Sequence, residues 1–328
     1  MDQLTIIMIF LVISIIIAIA IGANDETMSP IYGARILNLK QILILALIFA
    51  ILGAIVLGQG VAESVGQEIL LIDYDATGIS QNAVVVTILI STAIWLILAS
   101  ALGLPISTTH ATIGAIMGIG MFLGGGGGVN WITILGMSIW WIFSPVVGYV
   151  VTYSVVKLQH KHKVKHLKGF IDYERSENRY ALIILLVICI TAFSRSGNDS
   201  SNAVGIVSGV GDQINLPLLL AITGISLGLG IVVLGRIVIK NLGGMTELRP
   251  STAFAAQVPT AAVMLIGTIQ KIPLSGSHLL VASLVGLSKA SNTPMQKGLW
   301  KIVAIWLLTF PMSAFLAILL YFPVNSFF

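Results

Sequence analysis

The chain has 328 residues, of which 57% are hydrophobic and only 9% charged, with a net charge of +4. Soluble domains carry roughly a quarter charged residues, so most of this chain cannot face water. A soluble enzyme or nucleic-acid-binding domain is thereby excluded, and the sequence reads as an integral membrane protein. The single cysteine, Cys189, lies in an apolar run and offers neither a disulfide nor a metal cluster.

A bilayer-crossing helix needs about 20 mostly apolar residues. In chain order the stretches 4–22, 41–60, 82–102, 131–156, 180–194, 216–238, 251–268 and 299–321 are predicted spans. The start, Met1-Asp2-Gln3, lacks the basic flank of a cleaved leader, so 4–22 is predicted to be retained. Two further stretches, 105–123 and 273–289, are shorter or interrupted. They open on Pro105-Ile106-Ser107-Thr108-Thr109-His110 and Pro273-Leu274-Ser275-Gly276-Ser277-His278. Each is expected either to cross as a broken helix or to enter and return as a hairpin. Gly124 to Gly128 reads as a flexible external turn; a phosphate loop would need Lys-Ser or Lys-Thr after it. Trp131, Trp140, Trp300 and Tyr321 fall near span ends, where aromatic rings anchor to the interface.

Charge placement sets the orientation. The polar segment 157–179 carries Lys157, Lys161, Lys163, Lys165, Lys168, Arg175 and Arg179, and the positive-inside rule makes it cytoplasmic. Counting ten crossings outward puts Arg35, Lys40, Arg236, Lys240, Arg249, Lys289, Lys297 and Lys301 on the same side, so only Lys271 and Arg195 of the 17 basic residues are excepted. The loop with Glu63, Glu68, Asp73 and Asp75 is then external, as are both termini of this multi-pass cell-membrane protein.

The chain also repeats itself. Asn24-Asp25 recurs as Asn198-Asp199, and Ser107-Thr108-Thr109-His110 as Ser275-Gly276-Ser277-His278, at nearly one spacing. Between them Leu52-Gly53 and Leu57-Gly58 resemble Leu227-Gly228 and Leu234-Gly235. The halves are 1–156 and 180–328, joined by the basic linker 157–179. Five crossings in each half make the second begin on the opposite side from the first. The expected fold is therefore an all-α polytopic membrane protein of two inverted-topology repeats, with paired broken or re-entrant helices at the Ser/Thr motifs. Secondary transporters are built this way, with substrate held near the midplane.

The chemistry is expected at the breaks. Ionisable groups at membrane depth are costly and mark ion or substrate paths; a lone Asp25 could equally cap a helix, but its paired recurrence as Asp199 favours function. Proline breaks one helix and starts the next, Ser and Thr cap it, and the free N–H groups there attract oxyanions. Two such ends, one from each half, would enclose a tetrahedral anion. Carboxylates beside an anion repel it unless cations are also present or the carboxylates are protonated, and Asp and amide oxygens suit a small hard cation. Cation-coupled anion uptake follows, with Na⁺ or H⁺ equally suitable. His110 and His278 are read first as hydrogen-bonded structural residues, with proton shuttling second. His160, His162 and His166 belong to a solvated basic face rather than a metal site. Glu63 is read as surface charge. Arg195 is expected either to neutralise Asp199 or to touch the anion.

These motifs resemble the inorganic phosphate transporter (PiT) family of cation–phosphate symporters over essentially the whole chain. The family's Gly-Ala-Asn-Asp signature is met as Gly22-Ala23-Asn24-Asp25 and Ser196-Gly197-Asn198-Asp199, its Pro-Val-Ser-Thr-Thr-His as Pro105–His110 and Pro273–His278, and Asn202-Ala203-Val204-Gly205 is similar to the stretch after its second Asp. The resemblance implies that Asn24, Asp25, Asn198 and Asp199 serve cations and coupling. It implies that Ser107, Thr108, Thr109, Ser275, Gly276 and Ser277 lie at the phosphate site, and that both Ser/Thr motifs are re-entrant hairpins. It implies no catalytic residue, no cofactor beyond a co-transported Na⁺ or H⁺, and leaves homo-oligomers open. Three departures stand out: Glu26-Thr27-Met28 follows Asp25, Arg195-Ser196-Gly197 stands where His-Gly-Ala is expected, and Gly276 replaces a Thr. They keep a sulfate or other oxyanion permease as the alternative substrate reading. An uncoupled anion channel would lack paired carboxylates in inverted repeats. An intramembrane enzyme would need a nucleophile with a positioned base or metal cluster, and neither is visible.

Overall fold

The computed structural model describes residues 2–101, 106–209, 215–294 and 299–328. Pro105 and Lys297, used above, lie outside them. The helices in chain order are α1 (Gln3–Ala23), α2 (Ser29–Gly33), α3 (Leu39–Gln67), α4 (Tyr74–Thr77), α5 (Gln81–Ala101), α6 (Thr108–Gly124), α7 (Trp131–His166), α8 (Phe170–Ser208), α9 (Leu216–Gly230), α10 (Arg236–Gly243), α11 (Pro250–Ile269), α12 (Gly276–Ser291) and α13 (Leu299–Asn325). A π-helical turn, Ile231–Gly235, makes α9 and α10 continuous. Among the described residues, eight units are long and apolar enough to cross a bilayer: α1, α3, α5, α7, α8, α9–α10, α11 and α13. They coincide with the predicted spans, and the protein is an all-helical, multi-pass membrane protein.

The two motif helices are different. α6 has 17 residues and α12 has 16, which at 1.5 Å per residue gives about 25 Å, short of a hydrocarbon core of about 30 Å. Neither crosses as a helix alone. Each starts inside the protein, where Ser107 and Ser275 cap it and most of the first two turns are buried.

The repeated signatures end in different ways. α1 stops at Ala23; Asp25 Oδ1 then accepts the Thr27 amide at 2.7 Å, and Ser29-Pro30 begins α2. α8, predicted to end near residue 194, instead runs unbroken through Asn198 and Asp199 to Ser208. The reason is local. No proline follows Asp199 before Pro217, and the Ser200 and Ser201 hydroxyls fold back onto the Gly197 and Asn198 carbonyls, which helices tolerate. The linker is also more helical than expected: α7 extends to His166 and α8 starts at Phe170, leaving Leu167, Lys168 and Gly169 as the break. Lys, Arg, Gln and Glu are good helix formers, and apolar count alone does not register that. Tyr321 is buried against Phe122.

Packing is reciprocal between the halves. α3 lies on α8 as α1 lies on α9; α6 on α13 as α12 on α7; α5 on α13 as α11 on α7. Pairing α1 with α8, α3 with α9, α5 with α11, α6 with α12 and α7 with α13 makes each contact the image of another. The α3–α8 contact is close because both faces carry glycine, as membrane helix interfaces favour. A Cβ on Gly197 would lie 2.6 Å from Leu57 Cβ and 2.9 Å from the Gly53 carbonyl oxygen.

Segments assigned to one side of the membrane by charge do meet. Lys271 pairs with Glu63 at 3.2 Å, and the Asn130 amide donates to the Ile69 carbonyl at 2.8 Å. At the other end, Lys163 reaches Glu177 and the Ser251 hydroxyl, while Arg249 Nη1 donates to the Tyr173 hydroxyl.

Candidate functional site

The starts of α6 and α12 face each other in the interior. Ser107 Oγ accepts the His110 amide at 3.1 Å and Ser275 Oγ accepts the His278 amide at 3.3 Å, so each serine is occupied as an N-cap. The third motif position bridges the halves. Thr109 Oγ1 donates to the Leu274 carbonyl at 2.8 Å, and Ser277 Oγ donates to the Ile106 carbonyl at 3.0 Å. Each hydroxyl thus closes on the backbone just before the other helix.

The two asparagines hold those same backbones. Asn24 Nδ2 donates to the Ile106 carbonyl at 2.9 Å, and its Oδ1 accepts the Ile106 amide at 3.3 Å. Asn198 Nδ2 donates to the Ile272 carbonyl at 2.8 Å, and its Oδ1 accepts the Leu274 amide at 3.0 Å. Both amides are engaged with main chain. Trp141 of α7 adds a hydrogen bond from Nε1 to the Pro273 carbonyl at 2.9 Å.

Beside these helix starts lies a buried ionic cluster. Arg195, Asn198, Asp199 and Asn202 fall at i, i+3, i+4 and i+7 of α8 and so share one face. Arg195 Nε donates to Asp199 Oδ2 at 3.1 Å and lies 3.9 Å from Asp25 Oδ1; Nη1 donates to Glu26 Oε1 at 2.8 Å, and Nη2 to Ser277 Oγ at 3.2 Å. Asp199 Oδ1 accepts from Thr108 Oγ1 at 3.1 Å. Arg195 and Asp199 are each only 2% exposed, and Glu26 is fully buried. Three acidic side chains therefore surround one guanidinium between two helix N-termini. Hard oxygen ligands for a cation and free N–H ends for an oxyanion adjoin. The hydroxyl that Thr108 supplies has no counterpart at Gly276, where a Cβ would lie 2.8 to 2.9 Å from Arg195 Nε, Cδ and Cζ.

The structure gathers Asn24, Asp25, Arg195, Asn198, Asp199, Ser107, Thr108, Thr109, Ser275, Gly276 and Ser277 into one region. His110 and His278 lie just behind it, with ring centroids 4.5 Å apart in a box with Trp141, Phe310 and Trp306. Glu63 lies apart, paired with Lys271 at the surface. Sequence reasoning left three members out of the site. Glu26 is an acid at the end of an apolar span, next to an Asp already chosen. Asn202, whose Nδ2 donates to Thr109 Oγ1 at 3.4 Å, is signalled by the polar stripe on α8. Gln257 of α11, donating to the Thr27 carbonyl at 3.1 Å, had no signal beyond being polar in a span.

The model of the phosphate transporter family matches residues 21–317. A protein of Chlamydia pneumoniae named as a phosphate permease is 27% identical, with 94% of this chain and 96% of that one aligned. One of Pyrococcus furiosus, also named as a phosphate permease, is 27% identical over 95% of this chain and 94% of its own. Similarity extends to a chloroplastic inorganic phosphate transporter of Arabidopsis thaliana, at 24% identity over 91% of this chain and 69% of that one. A solved structure described as the sodium-dependent phosphate transporter superposes with a TM-score of 0.84 at 24% identity, covering 99% of this chain and 100% of that one. That likeness shows the fold.

Proposed function

The chain belongs to the phosphate transporter family, a transporter rather than an enzyme, and from that premise we propose that it imports inorganic phosphate by symport with Na⁺ or H⁺. The observation that carries this reading is the pairing of two capped helix starts, one from each repeat, beside a buried cluster of Asp25, Glu26 and Asp199. The helix ends favour the anion, and the carboxylates require a cation before an anion can join them. Thr108, Ser277 and the N–H groups behind Ser107 and Ser275 are the anion side of the site. Asp25, Glu26 and Asp199 are its cation side. Asn24 and Asn198 are read as latches on the hairpins rather than cation ligands, because main chain engages both their amide groups.

The reciprocal packing supports two copies of one helical unit in opposite orientation, and the shared boundary supports rocking of one repeat against the other. The Thr109–Leu274 and Ser277–Ile106 hydrogen bonds cross that boundary and would exchange as the site opens. Purified protein in liposomes, given labelled phosphate with imposed Na⁺ or H⁺ gradients, tests the proposal. Uptake should rise with one inward cation gradient and be lost when it is collapsed. Flux indifferent to both gradients would make the protein a channel, and stronger competition by sulfate than by unlabelled phosphate would change the substrate.

A further inference from the structure

Two positions break the internal repeat where it matters most, and they touch. Aligning Asn24-Asp25 on Asn198-Asp199 sets Ile21 against Arg195, and aligning Ser107 on Ser275 sets Thr108 against Gly276. Thr108 gives Asp199 a hydroxyl; Gly276 has none to give Asp25, and the guanidinium of Arg195 occupies the space a side chain there would take. The three nitrogens of that guanidinium are engaged by Asp199, Glu26 and Ser277, with Asp25 at 3.9 Å. An arginine whose nitrogens all point at protein acceptors is placed to neutralise carboxylates rather than to grip an anion.

We propose that Arg195 is a tethered counter-cation that takes the place of one co-transported cation at the Asp25–Asp199 site, with Gly276 as the vacancy that admits it. The proposal rests on the cation-coupled reading above. Its consequence is electrical. A charge fixed to the protein returns with the empty carrier, whereas a co-transported cation is delivered, so this protein moves one positive charge fewer per phosphate than it would with a neutral residue at 195. Bulk at 276 evicts the guanidinium and should act in the same direction as removing it.

The test compares full-length wild type, R195Q, R195K and G276T in proteoliposomes, reading charge moved per phosphate from the membrane potential that nulls net uptake. R195Q and G276T are expected to gain one charge per phosphate, and R195K, which keeps the positive charge, to retain the wild-type ratio. An unchanged ratio in R195Q or in G276T overturns the proposal, as does a shift in R195K as large as in R195Q. A raised half-saturating phosphate concentration in R195Q at unchanged ratio also overturns it, by making Arg195 an anion ligand. A second measurement serves any variant that does not transport: melting temperature in detergent across Na⁺ concentration and across pH. R195Q and G276T are expected to show cation-dependent stabilisation beyond that of wild type and R195K, and curves parallel to wild type in both series reject the idea. Wild type that carries no phosphate would defeat the functional reading alone, since the melting curves judge Arg195 independently.

Discussion

Pro273 has no N–H, and the extended segment around it lies buried without a helical ladder to satisfy its neighbours. Asn198 supplies both missing partners, to the Ile272 carbonyl and the Leu274 amide, and Asn24 does the same for Ile106. Leaving a buried backbone group unpaired costs about 1–3 kcal/mol. Asn198→Ala and Asn24→Ala are therefore expected to lower the melting temperature in detergent and to reduce uptake, with the coupling cation unchanged. Asp25→Asn should insert and purify as a discrete species yet lose phosphate uptake by tenfold or more, about 1.4 kcal/mol of transition-state stabilisation. Full uptake in Asp25→Asn would remove Asp25 from the site, and undiminished stability in both asparagine variants would remove the latch. At this scale the sequence was legible wherever a polar residue interrupts an apolar run twice, as with Asp25 and Asp199. It was not legible for the partnership of Arg195 with Glu26, which are 169 positions apart. Nor could it separate the neighbouring roles of Asn and Asp, since that depends on which atoms each side chain meets.

The elements show how one signature builds two geometries. α1 ends at Ala23 and leaves Asp25 in the turn before α2, whereas α8 continues through Asp199 and carries it on an unbroken helical face. That face requires α8 to lie tight on α3, and the glycine contacts set the distance. Gly197→Ala puts a Cβ 2.6 Å from Leu57 Cβ, and overpacking of this kind costs about 1–3 kcal/mol. A lower melting temperature and weaker uptake are expected. Gly136 of α7 is the control: nothing lies within 4 Å of its would-be Cβ. Gly136→Ala should be neutral or raise stability by up to about 1 kcal/mol, because glycine inside a helix is unfavourable. Equal losses from the two changes would mean that helix propensity rather than close approach explains the glycines. Span positions were read well from hydropathy, since about 20 apolar residues have few other fates. The ends were not, because the polar helix formers of 157–179 extend α7 and α8 beyond the apolar run.

For the whole molecule the strongest constraint is sidedness. Contacts join Glu63 with Lys271 at one end and Lys163, Glu177 and Ser251 at the other, so loops grouped by charge are also grouped in space. Which end faces the cytoplasm rests on the placement of the lysines and arginines, densest in 157–179. The single native cysteine makes this accessible to experiment. In a Cys189→Ser background, a cysteine at Gly126, an open turn position, should react with a membrane-impermeant maleimide in intact cells. One at His162, on the exposed end of α7, should react only after permeabilisation. The reverse pattern would invert the protein and turn the proposed importer's external loops inward. Labelling of both from the same side would mean that α7 does not cross. The two halves would then share an orientation, and the hairpin starts could no longer approach the midplane from opposite faces. Because α7 alone separates the two sites, this one pair of cysteines decides whether α7 supplies the crossing that an inverted repeat needs.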